Sequence, residues 1–591
     1  MYSTTAAIYA DEYIPIRPAT DTTLILAVAH VLLEEEKNEP DLIDRDFLNR
    51  CTVGFDKDHM PEGANPEENF TDYVLGTYDG QPKTPEWASK ICGVSPEKIR
   101  EFALELGRSK PATILFAWNS ARVEKGTHVC QAQMTLGAMT GNMGIKGGSC
   151  SISSQEPSMN GGPGLVKIGK DGWEKIENPC KTKICTSEHW DAILNGEYTS
   201  GPGEKTPIDI RMIYHSHVSV INQTNNSTKG IDAHRKVDFV CTNHFVMTPE
   251  AQHADLVLPV TTPWEKDGEV LYGNREILIW SEKVIDPLFE AKDDIEIAAE
   301  LGRRLGLDVN QIEPSSHMQA SFNKVATSEV VMENGKDYEN LVSITDADLK
   351  ELGVEGSPQD GRIPIMEFRK AGVYQVPRSE GDNYSYIHNE IFRQDPENNP
   401  LETASGKLEI HCQSLADDIT KAGWQEGDPI AIYRPATEGY EATFSDFEND
   451  VKGKYPLQIY AIHSYRGTHA VFDQVDWLRE TFTYEMLMNP IDAKARGLKE
   501  NDTVRAYNDN GAVLRRVHIS ERIMPGVVIL HEGPWVNIDE NGDDIAGSPN
   551  VLTGDYPSGI DIESFNACIV EVEKANKELP LDVEFEKPVT L

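Results

Sequence analysis

The stretch that most constrains the fold of this chain is residues 238–271. It contains two short apolar runs that are separated by a polar turn and followed by Pro-Val-Thr-Thr-Pro. The first run, residues 238–242, is apolar and β-branched, which is typical of a strand buried on both faces of a parallel sheet. Because the carboxyl ends of parallel strands border a crevice, the next residues, Asn243 and His244, are candidate ligand-binding residues. Capping of the turn is the simpler alternative for His244.

The length and charge of the chain limit its class. A chain of 591 residues exceeds what one hydrophobic core supports, and 39% hydrophobic residues are enough to fill several. The formal net charge of -42 comes from 97 acidic and 55 basic residues. Such a surface repels polyanions, so we expect no nucleic acid and no anionic membrane surface among its partners.

The nine cysteines do not form a recognisable iron–sulfur motif, because the sequence has no CxxC pair and no run of three or four cysteines. Cys180 and Cys185 are the closest pair, and we interpret them as surface-loop residues rather than metal ligands. The first residues lack a signal-peptide pattern, and the longest apolar run, residues 24–33, is too short to cross a bilayer. The chain itself carries no predicted targeting signal or membrane anchor.

The first part of the chain predicts a second strand whose carboxyl end is followed by candidate ligand-binding residues. An extended run at residues 14–18 leads to Asp21, which is placed to cap an apolar helix at residues 22–36. Residues 111–117 are predicted to form a strand, and Arg122 follows its carboxyl end. A guanidinium can hold a phosphate through two hydrogen bonds, so Arg122 is a candidate phosphate ligand. The glycine-rich turn at residues 141–148 follows a helix, the reverse of a dinucleotide fingerprint, and predicts a tight backbone approach.

The second half of the chain changes character along its length. Residues 311–395 show little apolar periodicity, and we expect them to wind over the surface. From Tyr455 onward, short predicted strands at residues 457–462, 501–509, 512–519 and 526–533 alternate with turn residues, which predicts a β-barrel.

Several motifs resemble those of one family. They include P-I-R-P-A-T-D at residues 15–21, T-G-N-M-G-I-K-G-G at 140–148, T-P-E-A-Q-H-A-D at 248–255, N-P-L-E-T-A-S-G-K-L-E at 399–409 and N-P-I-D-A-K-A-R-G-L at 489–498. In order and spacing these motifs resemble the molybdopterin oxidoreductases of the dimethyl sulfoxide reductase family, up to about residue 574. The resemblance implies an α/β chain with Rossmann-like parallel-sheet domains, one of them incomplete at the N-terminus, followed by a C-terminal β-barrel domain.

The resemblance also divides the chain. The implied parts are the remainder of a Rossmann-like dinucleotide-binding domain at residues 1–150, a surface insertion at 151–207, a second Rossmann-like cofactor-binding region at 208–410, a connector at 411–453, the molybdopterin dinucleotide-binding barrel at 454–574 and an acidic tail at 575–591.

The family motifs carry over a set of cofactor-binding residues. Asp21 and Asp294 match aspartates that receive guanine, since a carboxylate can accept two guanine N–H groups together. For Asp294, stabilisation of a helix N-terminus is an equally good explanation. Ala19, Ala121 and Asn501 stand where relatives usually have Gly, Gln and Gly. The full implied set is Asp21, Trp118, Asn119, Arg122, Asn222, Asn243, His244, Lys266, Asp294, His463, Ser464, Thr468, His469, Asn550, Phe565 and Asn566.

The family implies a two-electron reaction at a bis(molybdopterin guanine dinucleotide) molybdenum, commonly oxygen-atom transfer from an S-oxide or N-oxide. It also implies an iron–sulfur electron-transfer subunit, a membrane-anchor subunit and a small-molecule oxidant as partners. Full-length relatives are exported by the twin-arginine route and lie on the outer face of the membrane. The segments that carry the molybdenum ligand and the [4Fe-4S] cysteines of relatives have no match here, so the catalytic residue is unknown and no metal ligand is expected within this chain.

Other functions remain open from the sequence. Catechol dehydroxylases, polysulfide or tetrathionate reductases and formate dehydrogenases share these cofactor motifs, and an inactive truncated remnant would keep them by descent. The discriminating observation is the coding sequence before Met1, where an in-frame extension with a CxxC motif would favour an enzyme and a stop codon a remnant.

Overall fold

The computed structural model describes residues 8–116, 118–153, 162–216, 218–273, 275–465, 467–561 and 563–579. It confirms the predicted class: parallel α/β sheets come first and a closed barrel comes last. None of the helices within these ranges has the length and apolarity needed to cross a bilayer.

The elements are numbered in chain order. The strands are β1 Thr52–Val53, β2 Thr113–Phe116, β3 Ser149–Ser153, β4 Val166–Lys167, β5 Glu197–Gly201, β6 Glu204–Pro207, β7 Met212–Ser216, β8 Phe239–Asn243, β9 Leu256–Leu258, β10 Glu269–Gly273, β11 Ile277–Ser281, β12 Glu329–Val331, β13 Tyr338–Asn340, β14 Val342–Ser343, β15 Ile363–Pro364, β16 Val373–Gln375, β17 Leu408–Glu409, β18 Phe444–Asp446, β19 Val451–Lys452, β20 Leu457–Ile462, β21 Glu485–Met488, β22 Thr503–Tyr507, β23 Ala512–Ile519, β24 Val527–His531 and β25 Ile569–Lys574. The helices are Asp21–Glu35, Arg45–Cys51, Phe70–Leu75, Pro85–Cys92, Pro96–Arg108, Trp118–Ala121, Gly126–Met139, His189–Asn195, Val220–Gln223, Ser227–Lys236, Pro249–Gln252, Asp294–Arg304, Val309–Ile312, His317–Ala326, Asp346–Leu352, Ile365–Ala371, Glu390–Gln394, Gln413–Ala422, Asp476–Thr481 and Pro490–Ala495.

The helix Asp21–Glu35 is the centre of the first region. It is apolar on all sides, and ten of its residues are buried. It packs against the helices Pro85–Cys92, Pro96–Arg108 and Gly126–Met139. The last of these leads through the glycine-rich turn into β3, which pairs in parallel with β2. The carboxyl ends of β2 and β3 therefore lie on one edge of this region, and the glycine-rich turn lies on the other.

The glycine-rich turn makes the tight backbone approach that its sequence predicts, but it does so at the amino end of β3. The Arg393 guanidinium donates to the carbonyls of Gly141 and Met143 at 3.1 and 2.8 Å. A Cβ on Gly144 would stand 2.8 Å from Asn389 O and from Arg393 Cβ, and the residue has φ +74°. Glycine is needed here because a neighbouring segment of the chain approaches, not a ligand at the carboxyl edge.

The second region contains the parallel sheet predicted around residue 240. Its order is β7-β8-β9, and β8 ends at Asn243 as expected. The helix His189–Asn195 packs under this sheet, with Trp190 buried in the same cluster as Ile213 and Val240. Part of the 151–207 segment is thus buried, while most of the β5–β6 hairpin lies at the surface. Cys180 is exposed as predicted, but the interpretation of Cys185 as a surface residue was wrong, because Cys185 is buried.

The prediction for residues 311–395 was wrong. This segment builds a core of its own with β4, β10 and β11, in which Phe322, Val330 and Phe368 are at most 3% exposed. Its strands are two or three residues long, and its helices from His317 onward contribute one to four buried residues each. Elements this short give no detectable period in a sequence window, although together they bury a common interior.

The C-terminal barrel has six strands in the closed order β20-β24-β21-β23-β22-β25. The predicted strands at residues 457–462 and 512–519 coincide with β20 and β23. Each strand places residues into one core; Ile459, Met486, Val504, Val513, Val528 and Val570 are at most 3% exposed. β20 runs parallel to β24, so the loops that follow these two strands emerge at the same end of the barrel.

Candidate functional site

The end of β8 brings two predicted residues together. Asn243 accepts a hydrogen bond from Tyr214 Oη at 2.9 Å and donates one to Asp294 Oδ1 at 3.2 Å. Tyr214 belongs to the neighbouring strand β7, and Asp294 is the first residue of the helix Asp294–Arg304. A strand end and a helix N-terminus thus meet at the carboxyl edge of the parallel sheet, where a ligand crevice is expected. We call Tyr214, Asn243, Lys266 and Asp294 the first subsite.

The adjacent residues Asp293 and Asp294 have different roles. Asp293 is the N-cap of the helix and accepts from the Ile295 amide at 2.9 Å. It also pairs with Lys266 Nζ at 3.2 Å and with His317 Nε2 at 3.2 Å. Burial raises the pKa of Asp293, but the hydrogen bonds from His317 and Ile295 and the charge of Lys266 outweigh it and hold the pKa well below its usual range. Asp293 therefore caps the helix, while the Asp294 carboxylate is directed to the strand end.

His244 takes the simpler of its two predicted roles in this structure. Its amide donates to the Leu258 carbonyl at 3.1 Å, and its Nδ1 accepts from the Val246 amide at 3.2 Å. Its ring stacks on Phe245 with centroids 4.9 Å apart. These contacts fix the turn after β8, and a ligand contact by His244 stays a prediction.

Asp21 marks a second candidate subsite, which includes Gln458. Thr20, the N-cap residue, makes no side-chain capping bond, and Asp21 lies in the first turn of its helix. Burial raises the pKa of Asp21 to about 6, opposed by a hydrogen bond from its own amide. Gln458, on barrel strand β20, donates to the Pro18 carbonyl at 3.2 Å. The Oε1 atom of Gln458 is buried and has no hydrogen-bond partner among the described residues. We call Asp21 and Gln458 the second subsite.

Arg122 joins the first region to the barrel. Its guanidinium lies 5.7 Å from the ring centroid of Phe565, and its carbonyl accepts from the Asn566 amide at 3.1 Å. Its Nη1 lies 3.9 Å from a carboxylate oxygen of Glu563. Burial raises the pKa of Glu563 to about 7, and the Arg122 charge opposes this rise. Three predicted residues therefore meet here, although they come from opposite ends of the sequence.

Trp118 and Asn119 lie in the short helix Trp118–Ala121, directly after β2, at the predicted carboxyl edge. Their side chains are outside the described part of the structure.

The barrel contributes two histidines at its rim. His463 follows β20 and Glu532 follows β24, and the parallel register Ile462↔His531 sets these positions side by side. His463 Nδ1 and His469 Nδ1 lie 2.7 and 3.0 Å from the same oxygen of Glu532. Both rings are largely exposed. Ser464 and Thr468 belong to the same loop, and the carbonyl of Thr468 accepts from the Val471 amide at 3.0 Å.

The rim histidines and Glu532 offer two kinds of chemistry. Their ligand atoms all lie within 4.8 Å of one another, which is close enough to share a metal ion. The remaining ring nitrogens can instead donate to an anionic ligand placed over the rim.

Comparison with known proteins identifies the family. The model of the family described as molybdopterin oxidoreductase matches residues 2–304, and that of the molydopterin dinucleotide binding domain matches residues 457–568. The chain is 33% identical over 575 residues to dimethyl sulfoxide reductase DmsA of Escherichia coli (strain K12), covering 94% of this chain and 64% of that protein. It belongs to the molybdopterin oxidoreductases of the dimethyl sulfoxide reductase family.

Two further proteins are similar to the chain, one in sequence and one in fold. The chain is 30% identical over 578 residues to the dimethyl sulfoxide/trimethylamine N-oxide reductase of Cereibacter sphaeroides, covering 93% of this chain and 63% of that protein. Acetylene hydratase from Pelobacter acetylenicus has the same fold, with a TM-score of 0.63, 17% identity, and coverage of 97% of this chain and 72% of its own. The chain spans just under two thirds of the length of the first two relatives.

In this molybdopterin oxidoreductase, Asn222 and Asn550 hold the second region against the barrel. Asn222 donates to Pro534 O at 3.0 Å and accepts from the Val536 amide at 2.8 Å, so both ends of its side-chain amide are used. Asn550 donates to the Asn222 carbonyl at 2.9 Å. In this structure the two residues form the wall between domains, and direct cofactor contact by either remains a prediction.

The residues present fit a molybdopterin dinucleotide. Asp21 is a carboxylate that has lost much of its hydration, and Gln458 Oε1 is a buried acceptor that no described residue satisfies. Such groups are costly unless a ligand supplies donors. Asp294 at a helix N-terminus and Arg122 at a strand end add the charges that a base and a phosphate need.

Sequence reasoning missed Tyr214, Gln458, Glu563 and Glu532. Tyr214 and Gln458 lie inside strands, where alternation marks a residue as facing one side but not as part of a site. Glu532 lies within the predicted strand segment 526–533, and the pairing partner of that strand was needed to place it beside His463.

Proposed function

We propose that this chain binds bis(molybdopterin guanine dinucleotide) molybdenum and serves in an anaerobic respiratory reductase that removes an oxygen atom from an S-oxide or N-oxide. The observation that carries the proposal is the pair of carboxylates, Asp21 and Asp294. Each lies in the first turn of a helix. Asp294 accepts from the Asn243 side-chain amide, and three residues before Asp21 the Pro18 carbonyl accepts from the Gln458 side-chain amide.

Each subsite suits a guanine base. A carboxylate can accept the N1–H and N2–H of guanine with its two oxygens, and a side-chain amide can meet a further polar edge. In the first subsite Asn243 orients Asp294, and Tyr214 orients Asn243. In the second subsite the buried Gln458 Oε1 is the acceptor that still lacks a partner. Two guanine subsites correspond to a cofactor with two dinucleotides.

The anionic parts of the cofactor require cations. Arg122 can hold a phosphate through its guanidinium, which faces the ring of Phe565. The nearby carboxyl of Glu563 is partly protonated near neutral pH, so it neutralises Arg122 only in part. Lys266 neutralises Asp293 beside the first subsite, so the bound base meets only one net negative charge there. His463 and His469 present ring N–H groups at the barrel rim.

When bound, the molybdenum cofactor supplies the two-electron chemistry. The share of this chain is to bind and orient the cofactor and to exclude water by closing the barrel rim over the sheet edges. Relatives bear the names of dimethyl sulfoxide and trimethylamine N-oxide reductases, which supports an S-oxide or N-oxide as substrate. We extend the proposal to an iron–sulfur partner subunit, a membrane-anchor subunit and a location on the outer face of the membrane.

The test is a cofactor inventory of the purified protein and its variants. Acid hydrolysis should release two guanosine monophosphates per molybdenum from the parent, and Asp21→Ala and Asp294→Ala should each lower retention about tenfold or more, because loss of an acceptor leaves buried guanine donors unpaired. Asp346→Ala is the matched control, since Asp346 is exposed and also begins a helix. Viologen-linked reduction of trimethylamine N-oxide tests the reaction.

Release of no guanosine monophosphate would refute the guanine form. Equal retention in Asp21→Ala, Asp294→Ala and Asp346→Ala would return both aspartates to a helix-capping role.

A further inference from the structure

A cavity of about 390 Å³ lies between the first region and the β10–β11 hairpin. Its wall is lined by Lys146, Arg275, Glu276, Arg378 and the segment 384–387. We call it the basic pocket. Lys146 comes from the glycine-rich turn, Arg275 from the hairpin, and Arg378 follows β16, which pairs with β11. Three separate segments of the chain therefore converge on this space.

The basic pocket is not the cofactor crevice. Lys146 precedes β3 and so lies at the amino end of the β2–β3 pair, whereas Trp118 and Arg122 follow the carboxyl end of β2. A five-residue strand spans about 16 Å, so the two places lie on opposite edges of one sheet. A ligand in the basic pocket would leave the crevice open.

Two of the cations in the wall are held rigidly. Arg275 is only 8% exposed, and its guanidinium donates to Pro163 O at 2.9 Å and to Tyr384 O at 2.8 Å. Arg378 donates to Glu276 at 3.1 Å and to Asp382 at 2.7 Å. Burial lowers the pKa of Arg275, and the nearby charge of Arg378 lowers it further. Two positive charges thus lie close together in a partly dehydrated pocket. A bound anion would reduce the repulsion between them.

The third cation, Lys146, has no partner in the described part of the chain. Lys146 makes no hydrogen bond, ion pair or ring contact with any of the described residues. With Arg275 and Arg378 it gives the wall three positive charges, which are opposed by the Glu276 carboxylate in the wall and by the Asp382 carboxylate that binds Arg378. In a chain with a net charge of -42, such a local excess of positive charge is the reverse of the surrounding surface.

We propose that the basic pocket binds a small oxyanion with two negative charges, of the phosphate, sulfate or dicarboxylate class. A volume of about 390 Å³ admits a small molecule of this kind. Arginine presents N–H groups in a fixed fork that matches paired oxygens, and lysine adds a mobile point charge. Because Lys146 belongs to the first region and the arginines to the elements that build the core around Phe322, a bound anion also ties these two parts together.

Calorimetric titration of the full chain in Tris chloride with inorganic phosphate, sulfate and succinate, each taken separately to 10 mM, tests the proposal. We expect saturable binding of at least one of them, and Lys146→Gln and Arg378→Gln should each weaken it about tenfold, the value of one lost charge-assisted hydrogen bond. Lys350→Gln is the matched control, since it removes the same charge from an exposed lysine on another helix.

Arg122→Gln separates the pocket from the cofactor crevice. It should leave the anion affinity unchanged, even if the proposed cofactor function fails, because Arg122 lies on the other edge of the sheet. Absence of saturable binding of all three anions, or equal weakening by Lys146→Gln and Lys350→Gln, would overturn the proposal, and loss of binding in Arg122→Gln would assign the anion to the crevice instead.

Discussion

The barrel and the parallel sheet β7-β8-β9 differ in how they pair their strands and bury their apolar side chains. The barrel pairs every strand on both sides by closing on itself, and its inward residues form one buried core. The parallel sheet has three strands, and one of its faces carries exposed apolar residues, with Met212 at 53% and Phe239 at 38%. Parallel strands are usually covered on both faces, so this sheet is stabilised mainly from its other face, by Trp190, Ile213 and Val240.

The two regions differ in how completely their apolar side chains are buried, and not only in their number of strands. A side chain deleted from the barrel core leaves a cavity in a closed interior, whereas a deletion from the exposed sheet face removes few contacts. The sheet region in turn depends on buried polar groups, such as Glu250, that fix its turns. The following predictions test this difference, starting with the largest effect.

The same substitution should have unequal effects in the two regions. Leu530→Ala, in β24, should lower the free energy of unfolding by about 3 kcal/mol, because Leu530 is fully buried and its loss leaves a cavity. Leu256→Ala, in β9, should cost under about 1 kcal/mol, because Leu256 is 44% exposed. Urea denaturation of both variants gives the two values. Equal losses would show that the sheet face is covered in solution.

The pH dependence should reveal the buried carboxyl of the sheet region. Glu250 accepts from Ser219 Oγ at 3.0 Å and from the Ile221 amide, and burial raises its pKa to about 7. An acid with a raised folded-state pKa contributes stability that is complete below its unfolded pKa and is lost as the pH rises through about 7. Glu250→Gln should therefore gain about 3 kcal/mol relative to the parent between pH 4 and pH 8.

Thermal melts of the parent and of Glu250→Gln across this pH range measure the gain. Glu351→Gln is the control, because Glu351 is exposed at a helix end. A parent and a Glu250→Gln variant with parallel stability curves would show that Glu250 stays ionised when buried.

A smaller effect concerns two residues that replace glycine of the family motifs. Ala19, in the first region, and Asn501, before β22, have φ angles of 61° and 65°. The left-handed conformation costs alanine about 1 kcal/mol, whereas asparagine tolerates it. Ala19→Gly should therefore stabilise the chain by roughly 0.5 to 1 kcal/mol, and Asn501→Gly by a few tenths at most. Differential scanning calorimetry should rank them in this order; the reverse order would place the strain in the barrel.

The sequence predicted some of these features because local pattern and family motif agreed. β20 and β23 were found at their true bounds because each is rich in β-branched and other apolar residues and is bounded by turn residues, whereas β21 and β25 were missed. Asn243 and Asp294 were each predicted as cofactor-binding residues, but their hydrogen bond to each other is visible only in the structure. No sequence signal could show that Asp293 caps the helix while its neighbour faces Asn243, since both residues suit either role.

The core around Phe322 could not be predicted for a different reason. It gathers two- and three-residue strands from segments far apart in the chain, so no single window contains its period. The rim contact of His463 with Glu532 likewise depends on the parallel register of β20 and β24, which is a property of the closed barrel.

The hydrogen bond from Gln458 to Pro18 joins residues that are 440 positions apart in the chain. During synthesis, Pro18 leaves the ribosome long before β20 exists, and the contact of Arg122 with Phe565 waits longer still. The second subsite and the Arg122 contact can therefore be assembled only after nearly the whole chain has been translated. A dinucleotide that reached the nascent protein earlier would meet only one of the two chain segments that form its site. The dinucleotide can therefore bind fully only after both segments have been translated.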